Sequence, residues 1–499
     1  MTAPSDAREL DRLADAVALL RRRITEHEAR FVDVLEPVAE EHRASALNLV
    51  HYLAVRQHDL RDLQRALHRR GLSSLGRMEA YVAATLDAVL GTLCQLRGRE
   101  HPRFPAPPVT FDEGRALLEQ HTARLLGDTP PGRDVRIMVT MPQSAATDYP
   151  LVRDLVAAGM NVARINGAKD GPDVWRAMLV HLQRAREETG RPCLVEVDLE
   201  GPNPRTGEVA GELEIRLEVG DRLQLCKSSG PASVALRDAQ GRCTVPARVS
   251  CTLPEALSAL RVGERVCYDD GEFDGKVVAV DEGGVTLEIL RVSRPFARLK
   301  ANKGLNFPDS DLGLPSLTPA DYAVLDFAAA HADIVALSFV RDPADVRALG
   351  RALADRGASR LGIVLKVETR RAFEQLPQLL LAALAHPAVG VMVARGDMGV
   401  ELGFERLAEA QEEILWLCEA AHVPVVWATQ VLESLAKTGL PSRAEVTDAA
   451  MGGRAECVML NKGDYIVQTI AFLDDVLQRM QEHRYKKHAM LRKLGIAGG

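Results

Sequence analysis

Short apolar runs separated by amphipathic stretches dominate the chain from residue 135 to residue 462. The runs are VRIMVT (135–140), NVARIN (161–166), CLVEVD (193–198), DIVALSF (333–339), GIVLKVE (362–368), GVMVARGD (390–397), VPVVWAT (423–429) and CVMLNK (457–462). Each has the length and the continuous apolar character of a strand buried on both faces. Between most of them lie segments such as DPADVRALGRALADRG and ERLAEAQEEILWLCEAA, apolar at three- and four-residue spacing as an amphipathic helix requires. Eight such strand–helix units predict an α/β fold, a (β/α)8 TIM barrel over residues 133–200 and 305–484.

Two regions break that rhythm. Residues 201–304 fall between the third and fourth runs and alternate strictly, as in GELEIRLEVGDRLQL, with DG and GG turns. They predict a small β-barrel domain inserted after strand three, on the face where such barrels react, and so placed to act as a lid. Residues 1–128 read as helices, including RELDRLADAVALLRRRI, LNLVHYLAVRQHDLRDLQRAL and GLSSLGRMEAYVAATLDAVLGTL, the last with Ser73 or Ser74 as its cap. The Pro-rich segment HPRFPAPPVT (101–110) and TPPGRD (129–134) punctuate the join. Covering barrel surface is the default expectation for this helical region.

Composition narrows the class. The net charge of -7 gives no electrostatic reason to expect nucleic acid or an anionic membrane as partner. The start, MTAPSDARELD, lacks the order of a signal peptide, and no apolar run reaches the ~18 residues of a membrane span. The eight cysteines include no C-x-x-C pair, so neither a disulfide framework nor a zinc site is indicated, and a reducing cytoplasm is the expected setting.

In a barrel of this kind the chemistry sits at the C-terminal ends of the strands. Those ends carry Arg164 and Asn166, Asp198, Ser338, Lys366 and Glu368, Asp397, Thr429, then Asn461 and Lys462. Lys366 and Glu368 are two apart and so face the same way, toward the barrel mouth. Glu368 and Asp397 end neighbouring strands and suit one hard cation such as Mg²⁺, which takes oxygen ligands. With Arg164 and Lys366 beside it, that site fits an anionic, phosphorylated substrate. A purely structural Lys–Glu ion pair is the competing reading; the gathering of so many polar groups at one end of eight strands argues against it.

The stretches MNVARIN, DLEGPNPRTGEV, KGLNFP, LSFVR, LKVE, VMVARGDMGVE, WATQVLES and SRAEVTDAA, in this order, resemble pyruvate kinase across roughly residues 133–480. The resemblance implies phosphoryl transfer from phosphoenolpyruvate to ADP, the last step of glycolysis, in the cytoplasm. It implies Lys366 against the migrating phosphoryl group, Arg164 on the phosphate, and Glu368 and Asp397 holding Mg²⁺ or Mn²⁺. The Gly396–Asp397 amides would receive the substrate carboxylate, and Thr429 would belong to the proton-delivery path. Arg205, Lys303, Thr140 and Pro142 match positions near the nucleotide. Asn166 and Asp198 match two ligands of the family's K⁺ site. The expected partners are therefore the two small substrates, with neither nucleic acid nor membrane; self-association into a homo-oligomer stays open.

The chain departs from that pattern at several points. Ala168 stands where the K⁺ site has serine and Leu199 where it has threonine; only the lost hydroxyl removes a ligand. Glu200 replaces a lysine, Asn203 a frequent glutamate, and TMPQS (140–144) lacks the usual glycine. CVMLNKGDY loses the serine–glycine–glutamate–threonine segment near the nucleotide. The family's C-terminal effector domain has no counterpart after DYIVQTIAFLDDVLQRMQEHRYKKH, so no activation by fructose 1,6-bisphosphate is expected. Two other readings stand beside the kinase: an enzyme with a different phosphoryl acceptor or with keto-acid chemistry, and a non-catalytic sensor or scaffold. Among weaker signals, His27 and Glu28 read as a solvated helix face, and LRRRI and RYKKH as solvated basic runs. His51 and His58 read as sharing a helical face without a ligand role, and Trp427 as packing.

Overall fold

All eight apolar runs form strands in the computed structural model of the protein, which describes residues 4–486 apart from 210–213 and 241–242, together with 488–489. They are β1 (Arg136–Thr140), β2 (Val162–Asn166), β3 (Leu194–Asp198), β4 (Ile334–Leu337), β5 (Gly362–Val367), β6 (Val389–Ala394), β7 (Val425–Ala428) and β8 (Cys457–Leu460). Every neighbour pairs in parallel, and β8 returns to β1 to close the barrel. The runs are continuously apolar because both faces are covered. Ile137, Val139, Ala163, Ile165, Val195 and Val197 turn outward to the helices, whereas Met138, Val162, Ala336, Val364, Met392 and Met459 fill the interior. Arg164, Asn166, Asp198, Ser338, Lys366, Glu368 and Asn461 share the interior parity and stand above that apolar plug, whereas Thr429 and Lys462 have the outward parity. GVMVARGD divides: its strand stops at Ala394, and Arg395 opens a helix (Arg395–Leu402).

The inserted segment, together with Leu305–Asn306 just past its expected end at 304, forms a separate sheet with its own core. Six strands run in the order Leu305–Asn306, Arg265–Tyr268, Phe273–Asp281, Gly284–Val292, Arg222–Cys226 and Ala247–Ser250. Leu223, Leu225, Val249, Phe273, Leu287 and Ile289 pack within it. Its long hairpin turns at Asp281–Gly284, where Gly284 is obligatory: φ is +147°, and a Cβ would lie 2.0 Å from the Leu225 carbonyl oxygen.

The N-terminal region folds as helices, of which four matter here: α1 (Pro4–Glu28), α2 (Arg43–Arg56), α3 (Val82–Arg97) and α4 (Phe111–Leu126). Polar contacts tie it to the barrel: Asn48 Nδ2 donates to the Ala420 carbonyl at 2.9 Å, and His121 Nδ1 lies 2.7 Å from the His422 carbonyl. The closest join is apolar. Helix α4, opened by a capping box of Thr110 and Glu113, brings Leu125 and Leu126 to the floor of the barrel, in one cluster with Met138, Val364 and Met392. Gly362 and Gly390, at the starts of β5 and β6, make room for it. A Cβ on either would sit 2.5 or 2.4 Å from a Leu125 methyl.

Local readings of this region need correction. The segment 47–67 is two helices, α2 and Arg61–Arg69, so His51 and His58 do not share one helical face. Neither Ser73 nor Ser74 caps a helix, because α3 starts only at Val82, after a turn of 3-10 helix at Glu79–Tyr81. His27 is buried rather than solvated, and Glu28 accepts from the buried His51. Arg21 of LRRRI is only 2% exposed and pairs with Asp87 at 2.7 Å, and Lys486 of RYKKH is buried against Glu456. In each case a second element covers the polar face. Trp427 is packing, as expected, with the Arg395 guanidinium 4.8 Å from its ring. No helix among the described residues is long and apolar enough to cross a membrane.

Candidate active site

Strand alternation and register converge four side chains at the barrel mouth. Arg164 and Asn166 on β2 stand opposite Glu196 and Asp198 on β3. Lys366 rises from β5, with Glu368 just past the strand end. The Lys366 amine donates to Ser338 Oγ at 2.7 Å and lies 3.2 Å from Asp198 Oδ1 and 3.0 Å from Glu368 Oε1. Arg164 donates one terminal nitrogen to Asp198 Oδ2 and the other to Thr140 Oγ1 at 2.9 Å. Arg164, Asp198, Lys366 and Glu368 are all buried.

The electrostatics follow from that packing. Burial works against charge on Lys366, but Asp198 and Glu368 outweigh it and hold the amine above its ordinary value. Lys366 is therefore a permanent cation at neutral pH, suited to charge compensation and unsuited to act as a base. Glu368 is pushed up to about 7, first by burial and then, against the pull of Lys366, by the nearby Asp397 carboxylate. Its Oε2 accepts the Phe339 amide at 2.6 Å.

Asp397 is half-buried in the first turn of helix Arg395–Leu402. Gly396 precedes it, and a Cβ there would lie 3.3 Å from Thr429 Oγ1, so the hydroxyl and the helix N-terminus face one hollow. That hollow, about 230 Å³, is also lined by Asp270, Arg395 and Asp448. Arg395 is fixed by Asp448 at 2.8 Å and by the Ala428 carbonyl at 2.9 Å. The inserted sheet reaches the same place. Asn306 Nδ2 donates to Asp397 Oδ1 at 3.3 Å, and Asp270 is raised by burial and by Asp397.

Of the residues matched to the nucleotide side, Thr140 lines a second, larger hollow of about 270 Å³, walled also by Arg164, Lys169, Lys437 and Lys462; Arg205, Lys303 and Pro142 do not line it. Arg205 is tied to Glu200 at 3.2 Å and Lys303 to Asp269 at 2.8 Å; Pro142 precedes the short 3-10 helix Gln143–Ala146 after β1. Lys169 is held below its ordinary value by burial and by the neighbouring cations Lys462 and Arg205.

Some residues at the site escaped the sequence reading. Glu196 lies fully buried under Arg164. The same alternation that selected Asp198 could have found it, since CLVEVD places both on one side of the strand. Asp270, Asn306 and Glu401 were not legible, because they arrive from the inserted sheet or from the far end of a helix. Glu401 is pushed up to about 7 by burial, with Asp397 adding to it.

The oxygen-only donors Glu368 and Asp397, close enough that the Asp397 carboxylate disfavours charge on Glu368, fit a hard divalent cation. The monovalent site fits poorly. Ala168 offers no side-chain oxygen, Asn166 Oδ1 is taken by the Ala168 amide at 3.0 Å, and Asp198 is engaged by Arg164 and Lys366.

Residues 132–470 match the family model described as pyruvate kinase, barrel domain. Among curated relatives, pyruvate kinase PKLR of Rattus norvegicus is 29% identical over 376 residues, 70% of this chain and 61% of its own length. Pyruvate kinase of Geobacillus stearothermophilus is 30% identical over 362 residues, 70% of this chain and 58% of its own length. That of Encephalitozoon cuniculi is 30% identical over 335 residues, 65% of this chain and 71% of its own length. The chain thus spans about three fifths of the length of the first two. A matched segment that contains the whole barrel, every mouth residue and the inserted sheet makes this chain a member of the pyruvate kinase family.

Proposed function

We propose that the protein transfers the phosphoryl group of phosphoenolpyruvate to ADP, giving pyruvate and ATP, with Mg²⁺ held by Glu368 and Asp397. The observation that carries this reading is Lys366: a buried, permanently charged amine among Ser338, Asp198 and Glu368, beside a pair of carboxylates suited to a cation. Phosphoryl transfer asks for in-line positioning and charge compensation rather than covalent help.

Each residue then has a role. Arg164 and Lys366 neutralise the equatorial oxygens of the migrating group. The Gly396 and Asp397 amides, at a helix N-terminus, receive the substrate carboxylate. Thr429 Oγ1, above that helix start, delivers a proton to the enolate carbon after transfer. The inserted sheet, reaching Asp397 through Asn306, closes over the site and excludes water. A bound Mg²⁺ would supply Lewis-acid polarisation of the phosphoryl and enolate oxygens. Turnover without K⁺ is expected, because the monovalent donor set is incomplete.

A second reading has a specific observation behind it. Arg205 is neutralised by Glu200, and Lys169 and Lys462 crowd the hollow beside it, so an acceptor other than ADP is the alternative. Pyruvate formation from phosphoenolpyruvate with Mg²⁺, across a panel of nucleoside diphosphates with Lys366→Met as control, tests both. Transfer to ADP that collapses in the variant supports the first reading; transfer only to another acceptor supports the second; no Mg²⁺-dependent consumption of phosphoenolpyruvate refutes both.

A further inference from the structure

Glu196 is the least accommodated charged group in the barrel. It is 0% exposed, and neither carboxylate oxygen accepts a hydrogen bond from any described residue. A buried carboxylate in that state is strongly disfavoured unless a cation stands by. The cation is Arg164, its direct partner in the β2–β3 register, whose Nε lies 3.7 Å from Glu196 Oε1 and itself donates to nothing described. With its two terminal nitrogens on Asp198 and Thr140, Arg164 is held on every side by the protein and is only 8% exposed. The interior holds three carboxylates, Glu196, Asp198 and Glu368, against two cations, Arg164 and Lys366.

We propose that Glu196 is a positioning residue that keeps the Arg164 guanidinium drawn into the barrel and thereby weakens binding of the phosphorylated substrate. The inference rests on phosphoenolpyruvate as that substrate. An anion entering the mouth must compete with Glu196 and Asp198 for Arg164, and the third carboxylate opposes its charge from below. A unit charge roughly 10 Å from an anion, at an effective dielectric near 20, alters affinity on the order of tenfold. A merely structural pair would change stability and leave the substrate constants alone.

The test combines steady-state kinetics at pH 8 with calorimetric titration of phosphoenolpyruvate into the full chain and its Glu196→Gln, Glu196→Ala and Glu196→Asp variants. Glu196→Gln and Glu196→Ala are expected to lower KM and Kd for phosphoenolpyruvate about tenfold, with kcat within about threefold and KM for ADP unchanged. Glu196→Asp, which keeps the charge, should stay near the parent values. Unchanged or raised KM and Kd in the Gln and Ala variants overturn the proposal, as does a fall in kcat alone. If phosphoenolpyruvate binds but no variant or parent turns it over, the phosphotransferase reading fails while the Kd series still decides Glu196.

Discussion

The floor of the barrel offers a quantitative test of how far the N-terminal helices belong to the catalytic fold. Leu125 is 2% exposed and fills the space between β5 and β6 that Gly362 and Gly390 leave open. Leu125→Ala removes buried methyls and leaves a cavity that a closed barrel collapses into poorly, so a loss of about 3–4 kcal/mol is expected. Gly390→Ala places a methyl 2.4 Å from Leu125 Cδ2 and 3.3 Å from the Pro424 carbonyl. Overpacking of that kind destabilises by about 1–3 kcal/mol. In the double variant the new methyl occupies part of the vacated volume. The two effects then sum to less than their parts, with a coupling of about 1–2 kcal/mol. Urea titration followed by far-UV circular dichroism, comparing midpoints at matched slope, reads all three variants. Additivity within about 0.5 kcal/mol, or a Leu125→Ala loss under about 1 kcal/mol, would refute the view that helix α4 seals the barrel.

Other outcomes follow from the site. Lys366→Met should lower kcat by at least about 100-fold, as loss of a transition-state charge does, and should also lower Tm, since Asp198 and Glu368 lose their shared cation; retention of kcat would remove Lys366 from the chemistry. Gly396→Ala, with φ in the ordinary range and its methyl against Thr429 Oγ1, should raise KM for phosphoenolpyruvate several-fold at nearly unchanged Tm; an unchanged KM argues against carboxylate capture there. Burial pushes Glu196, Glu368 and Glu401 each up to about 7 in the folded protein from 4.5 for a free carboxyl. The unfolded chain thus loses its protons first, and metal-free stability falls as pH rises from about 4.5 through 7, on the order of 3 kcal/mol for one such group. Added Mg²⁺ should raise Tm more at pH 8 than at pH 6, because it binds the ionised Glu368; an equal rise at both pH values would count against Glu368 as a ligand.

Much of the site was legible because strand geometry is periodic. Once eight apolar runs are read as parallel strands, side-chain alternation alone places Arg164, Asp198, Lys366 and Glu368 on one side and at one end. The structure brings them within contact distance. Glu196 obeys the same alternation and was passed over because it lies one step below the strand end. The N-terminal helices were legible as helices, yet their buried faces were misjudged at Arg21 and His27. A helix's own sequence shows which residues are charged; it does not show which charged residues a neighbouring element will cover.

By itself, then, the sequence determined the eight barrel strands, their parallel order and the polar side chains at the C-terminal end of strands two, three and five, because those depend on a period of two along a strand. The tertiary structure alone decided that Leu125 closes the floor and that Asn306 and Asp270 approach Asp397 from the inserted sheet. These are contacts between elements far apart in the chain, fixed by packing volume and charge in three dimensions, for which no one-dimensional pattern carries a signal.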